Sequence, residues 1–242
     1  MIRNKVAKLN RNVHNIVWRS HEPSRLETFS DAVFGFALTL IIVSIEVPRS
    51  FSDLLETMRG TMSFAVCFAA LFQIWNSQNI FFRRYGMKDK GTVMLNAILM
   101  FVVLIYAYPL KFLSILLLQR HTYMLNGHEL PMIFDTQVPS LMMIYGAGFS
   151  VIYLLFTLMH FNALRYKNEL NMAPIEIFET KTLAYINLIC FGIGLFSISL
   201  ALILPLQYTG ISGLTYFLIP VAYWSWYSYR GKRGRRIYKL TS

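Results

Sequence analysis

A carboxylate standing just inside a long apolar run is the residue of this chain best placed to do chemistry. Asp31 closes the string Arg25-Leu26-Glu27-Thr28-Phe29-Ser30-Asp31, and an apolar stretch then continues to Val47-Pro48. An ionisable group at that depth costs a few kcal/mol to insert unless it is paired, and by default it marks a functional site. Its available partners are Ser30 beside it, Arg25 reaching along the helix, and three polar residues in other apolar runs: Trp75, Gln78 and Asn96. Those three need hydrogen-bond partners themselves. Such a cluster either holds helices together or also shapes a pathway between them.

Other chemistry is absent from the sequence. It contains no HExxH, no GxSxG and no phosphate-binding glycine loop, and His14, His21, His121, His128 and His160 lack metal-ligand spacing. Cys67 and Cys190 fall in apolar runs and read as small core residues, with no disulfide framework. There is no TVGYG-type filter loop, the usual sign of a potassium channel. The chain reads as a non-enzyme with neither cofactor nor metal.

The elements that must position Asp31 follow from composition. Of 242 residues 55% are hydrophobic and 14% charged, against about 25% charged in soluble domains. A hydrocarbon layer about 30 Å thick needs roughly 20 apolar residues per helix. Six segments approach this, near Phe29–Val47, Thr61–Phe82, Val93–Leu118, Val138–Phe161, Leu183–Leu206 and Leu214–Tyr229. The expected fold is an all-α integral membrane protein of six transmembrane helices. Pro109 offers the third span a place to kink, and Tyr223, Trp224, Trp226, Tyr227 and Tyr229 resemble an interfacial aromatic belt. Gly146, Gly148, Gly192 and Gly194 read as small residues at helix contacts.

Net charge is +11, from 23 Lys and Arg against 12 Asp and Glu. The basic residues sit in connections, so they point to topology and anionic lipid head groups rather than nucleic acid. With six spans, all but Arg49, Arg59, Lys111 and Arg120 gather on one side, which places both termini in the cytoplasm. The domains expected are a basic lead-in (1–25), the six-helix unit (26–229) and a basic tail (230–242). The third connection, about Gln119–Gln137, reads as a turn-rich loop carrying Asn126–Gly127 and Pro131.

Past Asp31, Phe36, Leu40 and Val43 share one face of the first helix, with Thr39 on the adjoining face and Gly35 one turn below it. Spacing alone assigns that stripe to lipid or to bundle core.

The string Arg25-x-x-x-Phe29-Ser30-Asp31 at the head of the first span resembles the signature of the transmembrane protein 175 family of potassium channels. The likeness extends through Ala32-Val33-Phe34, Thr39-Leu40 and Val47-Pro48, the aromatics Phe68, Phe72 and Trp75 of the second span, and Asn96 and Pro109 of the third. The resemblance implies a prokaryotic homotetramer in the cytoplasmic membrane, passing potassium through a pore lined by four first helices. Phe36, Leu40 and Val43 would be its constriction rings and Thr39 a selectivity-adjacent position. Arg25, Phe29, Ser30 and Asp31 would be anchors, with Trp75, Gln78 and Asn96 as their partners. Two residues depart from the pattern. Phe36 replaces an aliphatic ring residue, leaving open a plugged pore or a gate that opens by wetting; Gln78 stands where His is common and cannot titrate. The rival readings are a proton- or ion-coupled carrier using Asp31, and a non-conducting membrane scaffold.

Overall fold

A serine at the head of a Ser-x-x-Glu sequence starts the first helix. Glu27 N–H donates to Ser24 Oγ (3.3 Å) and Ser24 N–H to Glu27 Oε1 (2.9 Å), a reciprocal capping box. Helix α1 therefore runs Arg25–Val43. The expected start at Phe29 was one turn late, because the box lies in polar sequence that hydropathy discounts. The structure, a computed structural model, describes residues 18–20, 22–43, 50–118, 122–125 and 128–241. The end of the expected first span beyond Val43, and most of the basic lead-in, lie outside them.

Helix α2, Phe51–Tyr85, begins ten residues before the expected Thr61. At 1.5 Å per residue it is about 52 Å long, well beyond a hydrocarbon layer. It stops where Gly86 takes φ 61° and donates its N–H to Phe82 O (2.7 Å), a glycine C-terminal stop. Helix α3, Lys90–Leu118, starts on Asp89, whose carboxylate accepts from Thr92 N–H (3.1 Å) and Thr92 Oγ (2.6 Å). Pro109 stays inside α3, where the missing N–H leaves the Ile105 carbonyl without its helical donor.

The third connection is not wholly loop. Strands β1 (Thr122–Leu125) and β2 (His128–Pro131) pair antiparallel, from Thr122 opposite Pro131 to Leu125 opposite His128. A two-residue Asn-Gly connection is the strongest short hairpin signal. Asn126–Gly127 supplies that spacing, although these two residues are outside the described set.

Helix α4 (Val138–Arg165) follows a short 3-10 turn, and α5 (Pro174–Ile203) opens with proline in its first turn. These two form the most extensive helix pair. A Cβ added at Gly194 would meet Ser150 Oγ at 2.2 Å, one at Gly146 would meet Ile198 Cγ1 at 2.5 Å, and one at Gly148 would meet the Tyr106 ring at 2.2 Å. Close backbone approach through small residues is how helices pack in lipid, where burial from water does not drive association. Gly192, by contrast, faces open space.

The expected sixth span starts differently. Leu206–Phe217 is a 3-10 helix of 12 residues, and α6 follows over Leu218–Thr241. Three residues per turn place Thr209, Ser212 and Thr215 in one line, and all three are buried. Ser197 Oγ of α5 donates to Ser212 O (2.9 Å) on that line. Helix α6 runs unbroken through the 229/230 boundary of the expected tail. There Arg230 lies over the Phe178 ring (4.3 Å) and donates Nε–H to Thr182 Oγ (3.0 Å).

Apart from the hairpin, the described secondary structure is helical. Lys90–Leu116, Asp135–Arg165 and Pro174–Ile203 are long and apolar enough to cross a membrane by length and composition. One core runs through Phe34, Ala37 and Ile41 of α1, Leu71 and Phe81 of α2, Leu99 and Val103 of α3, and Ile152 and Met159 of α4. Helix α1 packs on α2 and α3 and touches no other described helix. Cys67 and Cys190 are free and buried.

Candidate functional site on the first helix

Two adjacent residues tie α1 to two different helices. Ser30 is fully buried; its hydroxyl donates to Leu26 O (2.8 Å) and accepts from Asn96 Nδ2 of α3 (2.9 Å). Asn96 Oδ1 in turn accepts from Gln78 Nε2 of α2 (2.6 Å), and both amides are buried. This three-helix chain of hydrogen bonds satisfies polar groups that apolar surroundings would otherwise penalise. Next to it, Trp75 Nε1 donates to Asp31 Oδ1 (2.7 Å), a bond strengthened by the carboxylate charge. Trp75 heads a ladder of rings along α2: Phe72 lies 5.3 Å from it, Phe68 6.1 Å from Phe72, and Phe64 6.2 Å from Phe68.

Arg25 does not join this set. It is exposed and makes no ion pair with Asp31 among the described residues. Six residues turn a helix through about 600°, which leaves the two side chains about 120° apart around the axis. Phe29 is also outward-facing, at 60% exposure.

At about 100° per residue, Ser30, Ala37 and Ile41 point into the core, while Ala32, Phe36 and Thr39 point away from it, and the exposure pattern follows. Phe36 is 58% exposed. Thr39 is exposed, and its hydroxyl donates to Gly35 O (2.9 Å). Leu40 lies between the two faces and is half-buried. Val43 is the last described residue of the helix, and its side chain lies outside the described residues. The outward face of α1 thus carries a hydroxyl and a glycine among its apolar residues, with the Asp31 carboxylate at its edge.

A cavity of about 320 Å³ opens between the start of α1 and the last turns of α2, lined in part by Glu22, Glu27, Asp31, Gln78, Asn79 and Arg83. Among the described residues no three His, Cys, Asp or Glu side chains are grouped to hold a metal ion.

Two residues that matter here escaped the sequence reading. Lys111 of α3, treated there only as a topology marker, donates Nζ–H to Ile41 O (2.8 Å). Ile41 lies in the last described turn of α1, so this bond ties the helix to α3 well beyond Ser30. A lysine interrupting an apolar run was the available signal. Arg19, inside the expected lead-in, is part-buried against the bundle. Its guanidinium donates to Glu176 Oε1 (3.2 Å) and Oε2 (2.8 Å), to Leu170 O (2.9 and 3.1 Å) and to Arg84 O (3.2 Å). Nothing in local sequence distinguished it from the other basic residues of that segment.

The family model for the endosomal/lysosomal potassium channel TMEM175 matches residues 25–106, the stretch that carries every anchor above. A potassium channel from Marivirga tractuosa is 39% identical over 216 residues, covering 86% of this chain and 87% of the relative. A potassium channel from Chamaesiphon minutus is 28% identical over 101 residues, covering 38% of this chain and 50% of the relative. The crystal structure of a variant of the potassium channel MtTMEM175, in complex with a nanobody–MBP fusion, superposes with a TM-score of 0.77 at 36% identity, covering 93% of this chain and 97% of that one. The fold is also that of a lysosomal potassium-selective channel TMEM175 homolog from Chamaesiphon minutus, with a TM-score of 0.55 at 20% identity, covering 86% and 99%. A signature helix bonded through Ser30 and Asp31 to its two neighbours, together with a relative this similar over nearly its whole length, makes the chain a member of the TMEM175 family.

Proposed function

We propose that this chain is a potassium-selective channel of the cell membrane and acts as a homotetramer whose pore is lined by four copies of α1. The observation that carries the reading is the outward face of α1. The core side is fixed by Ser30, Ala37 and Ile41, and the opposite side leaves Phe36 and Thr39 uncovered, with Asp31 exposed at its edge. A face holding a hydroxyl and a glycine, with a carboxylate at its edge, is better suited to water or to a second copy than to lipid.

In this reading a potassium ion loses part of its hydration shell where Phe36, Leu40 and Val43 narrow the path. Water above and below and the dipoles near Thr39 offset that loss. Phe36 forms a gate that admits ions when its surroundings wet. Ser30 and Asp31, with Trp75, Gln78 and Asn96, hold the orientation of α1 that keeps these side chains on the pore. The six helices each cross the membrane, the sixth crossing beginning in the 3-10 segment. Both termini lie in the cytoplasm of a prokaryotic cell, on the side rich in Lys and Arg.

The test is ion flux from purified protein in liposomes, under a potassium gradient and then a sodium gradient, for the native chain, Phe36→Ala and Thr39→Val. Fast potassium flux from the native chain is expected, larger in Phe36→Ala and less selective in Thr39→Val. Unchanged flux and preference in Phe36→Ala would remove Phe36 from the constriction. Silence from all three, with intact assembly, would favour a scaffold.

A further inference from the structure

Among the described residues, helix α1 packs its backbone against α2 and α3 and against no part of the α4–α5 pair. The short segment before it provides a link to that pair. The N–H groups of Arg19 and Ser20 both donate to Arg83 O (3.1 Å each), and the Arg83 guanidinium lies 5.0 Å from the Trp18 ring. From that footing on the end of α2, the Arg19 side chain reaches across to α5, where its two-pronged bond to Glu176 meets a carboxylate only 2% exposed. The same guanidinium holds Leu170 O, in the corner between α4 and α5. Glu176 is itself fixed, accepting the Ala173 N–H at the start of α5 (3.1 Å). Ser20 Oγ donates to Glu22 O (2.9 Å), and the Ser24–Glu27 capping box follows two residues later. A forked arginine–carboxylate pair sets geometry as well as binding strength.

We propose that Arg19 is a positioning residue for the pore helix: its clamp on Glu176 and Leu170 ties the start of α1 to the α4–α5 pair and sets how often the pore opens. This rests on the channel reading above. The clamp lies at the start of α1, whereas Phe36 and Thr39 lie three or more turns further along it. Losing the clamp therefore changes opening without changing the narrow part of the path.

The test records single-channel potassium currents from the full chain in planar bilayers for the native protein, Arg19→Gln, Glu176→Gln, the double variant and Arg19→Lys. Deuterium exchange of the backbone amides in residues 24–30 is measured on the same preparations. Each Gln variant is expected to change open probability at least about fivefold, while unitary conductance and potassium-over-sodium preference stay at native values. The double variant changes open probability by less than the two single changes combined, because the singles share the Arg19–Glu176 pair, and exchange in residues 24–30 quickens in all three. Arg19→Lys keeps the charge without the fork; it shows a smaller shift and stands in for any Gln variant that does not assemble. Native open probability in both single variants, additive effects, altered unitary conductance or unchanged exchange would each overturn the proposal. If the native protein passes no potassium, the channel reading falls, and the exchange comparison alone decides whether Arg19 holds α1.

Discussion

Trp75 donates its indole N–H to Asp31 Oδ1 at 2.7 Å, one residue along from the Ser30 hydroxyl that Asn96 engages at 2.9 Å. Neighbouring residues on a helix point about 100° apart, so Ser30 faces α3 while Asp31 faces α2. Turning α1 to favour one bond would break the other. Together they fix its rotation, and hence which side chains stand on the face away from the core.

Trp75→Phe keeps most of the ring and removes only the donor. It is expected to cost about 1–2 kcal/mol, the range for a hydrogen bond to a charged group discounted for the exposure of Asp31. Asp31→Asn retains an acceptor oxygen and loses only the charge, so its cost is smaller. Thermal unfolding in detergent, read by tryptophan fluorescence or by retention of the assembled form, gives the order. A carrier that uses Asp31 as a proton relay predicts a different pattern, in which Asp31→Asn assembles normally and transports nothing.

Asn96→Leu deletes the middle of the buried chain and leaves the Gln78 amide without its partner. The expected loss is about 1–3 kcal/mol, the cost of stranding a buried polar group. The double change Gln78→Leu and Asn96→Leu leaves no orphan amide and should be less destabilising than Asn96→Leu alone. If the double variant is instead worse by the sum of the two singles, the hydrogen bond at 2.6 Å between them is not the source of the cost.

Asp89, in the turn between α2 and α3, gives a pH dependence whose sign is fixed by its contacts. Burial acts to raise its pKa, but hydrogen bonds from Thr92 and Asn162 outweigh that and hold the carboxyl below its ordinary value. A carboxyl depressed on folding adds stability that is fully present above its unfolded value and is lost as pH falls through the folded one. Melting temperature should therefore fall on acidification below about pH 4. Asp89→Asn should flatten that part of the profile, and an equally steep acid limb in the variant would assign it to other carboxylates.

Much of the site was legible because its residues break local rules. A carboxylate, an indole N–H and two amides inside apolar runs all need partners, and the same chemistry that marked Asp31, Trp75, Gln78 and Asn96 as unusual also limited what each could bond to. Helix limits were less legible. The Ser24–Glu27 box and the Asn-Gly pair between β1 and β2 are both written in the sequence, yet hydropathy passes over polar signals, so it starts α1 a turn late and does not show the hairpin.

By itself the sequence determined that the chain is helical and membrane-embedded, because the length of its apolar runs depends on composition along the chain. It also marked the Arg25–Asp31 string as the head of the first helix. Only the tertiary structure decided how the polar residues pair. Ser30 with Asn96, Asp31 with Trp75, Lys111 with the end of α1, and Arg19 with Glu176 are separated by 44 to 157 positions. Pairing at such separation depends on how helices cross and rotate, and no local pattern of residues encodes that. For the same reason Arg25, close to Asp31 in sequence, stands apart from it in the fold, while Arg19, which looked like one more basic residue in a lead-in, is built into the bundle.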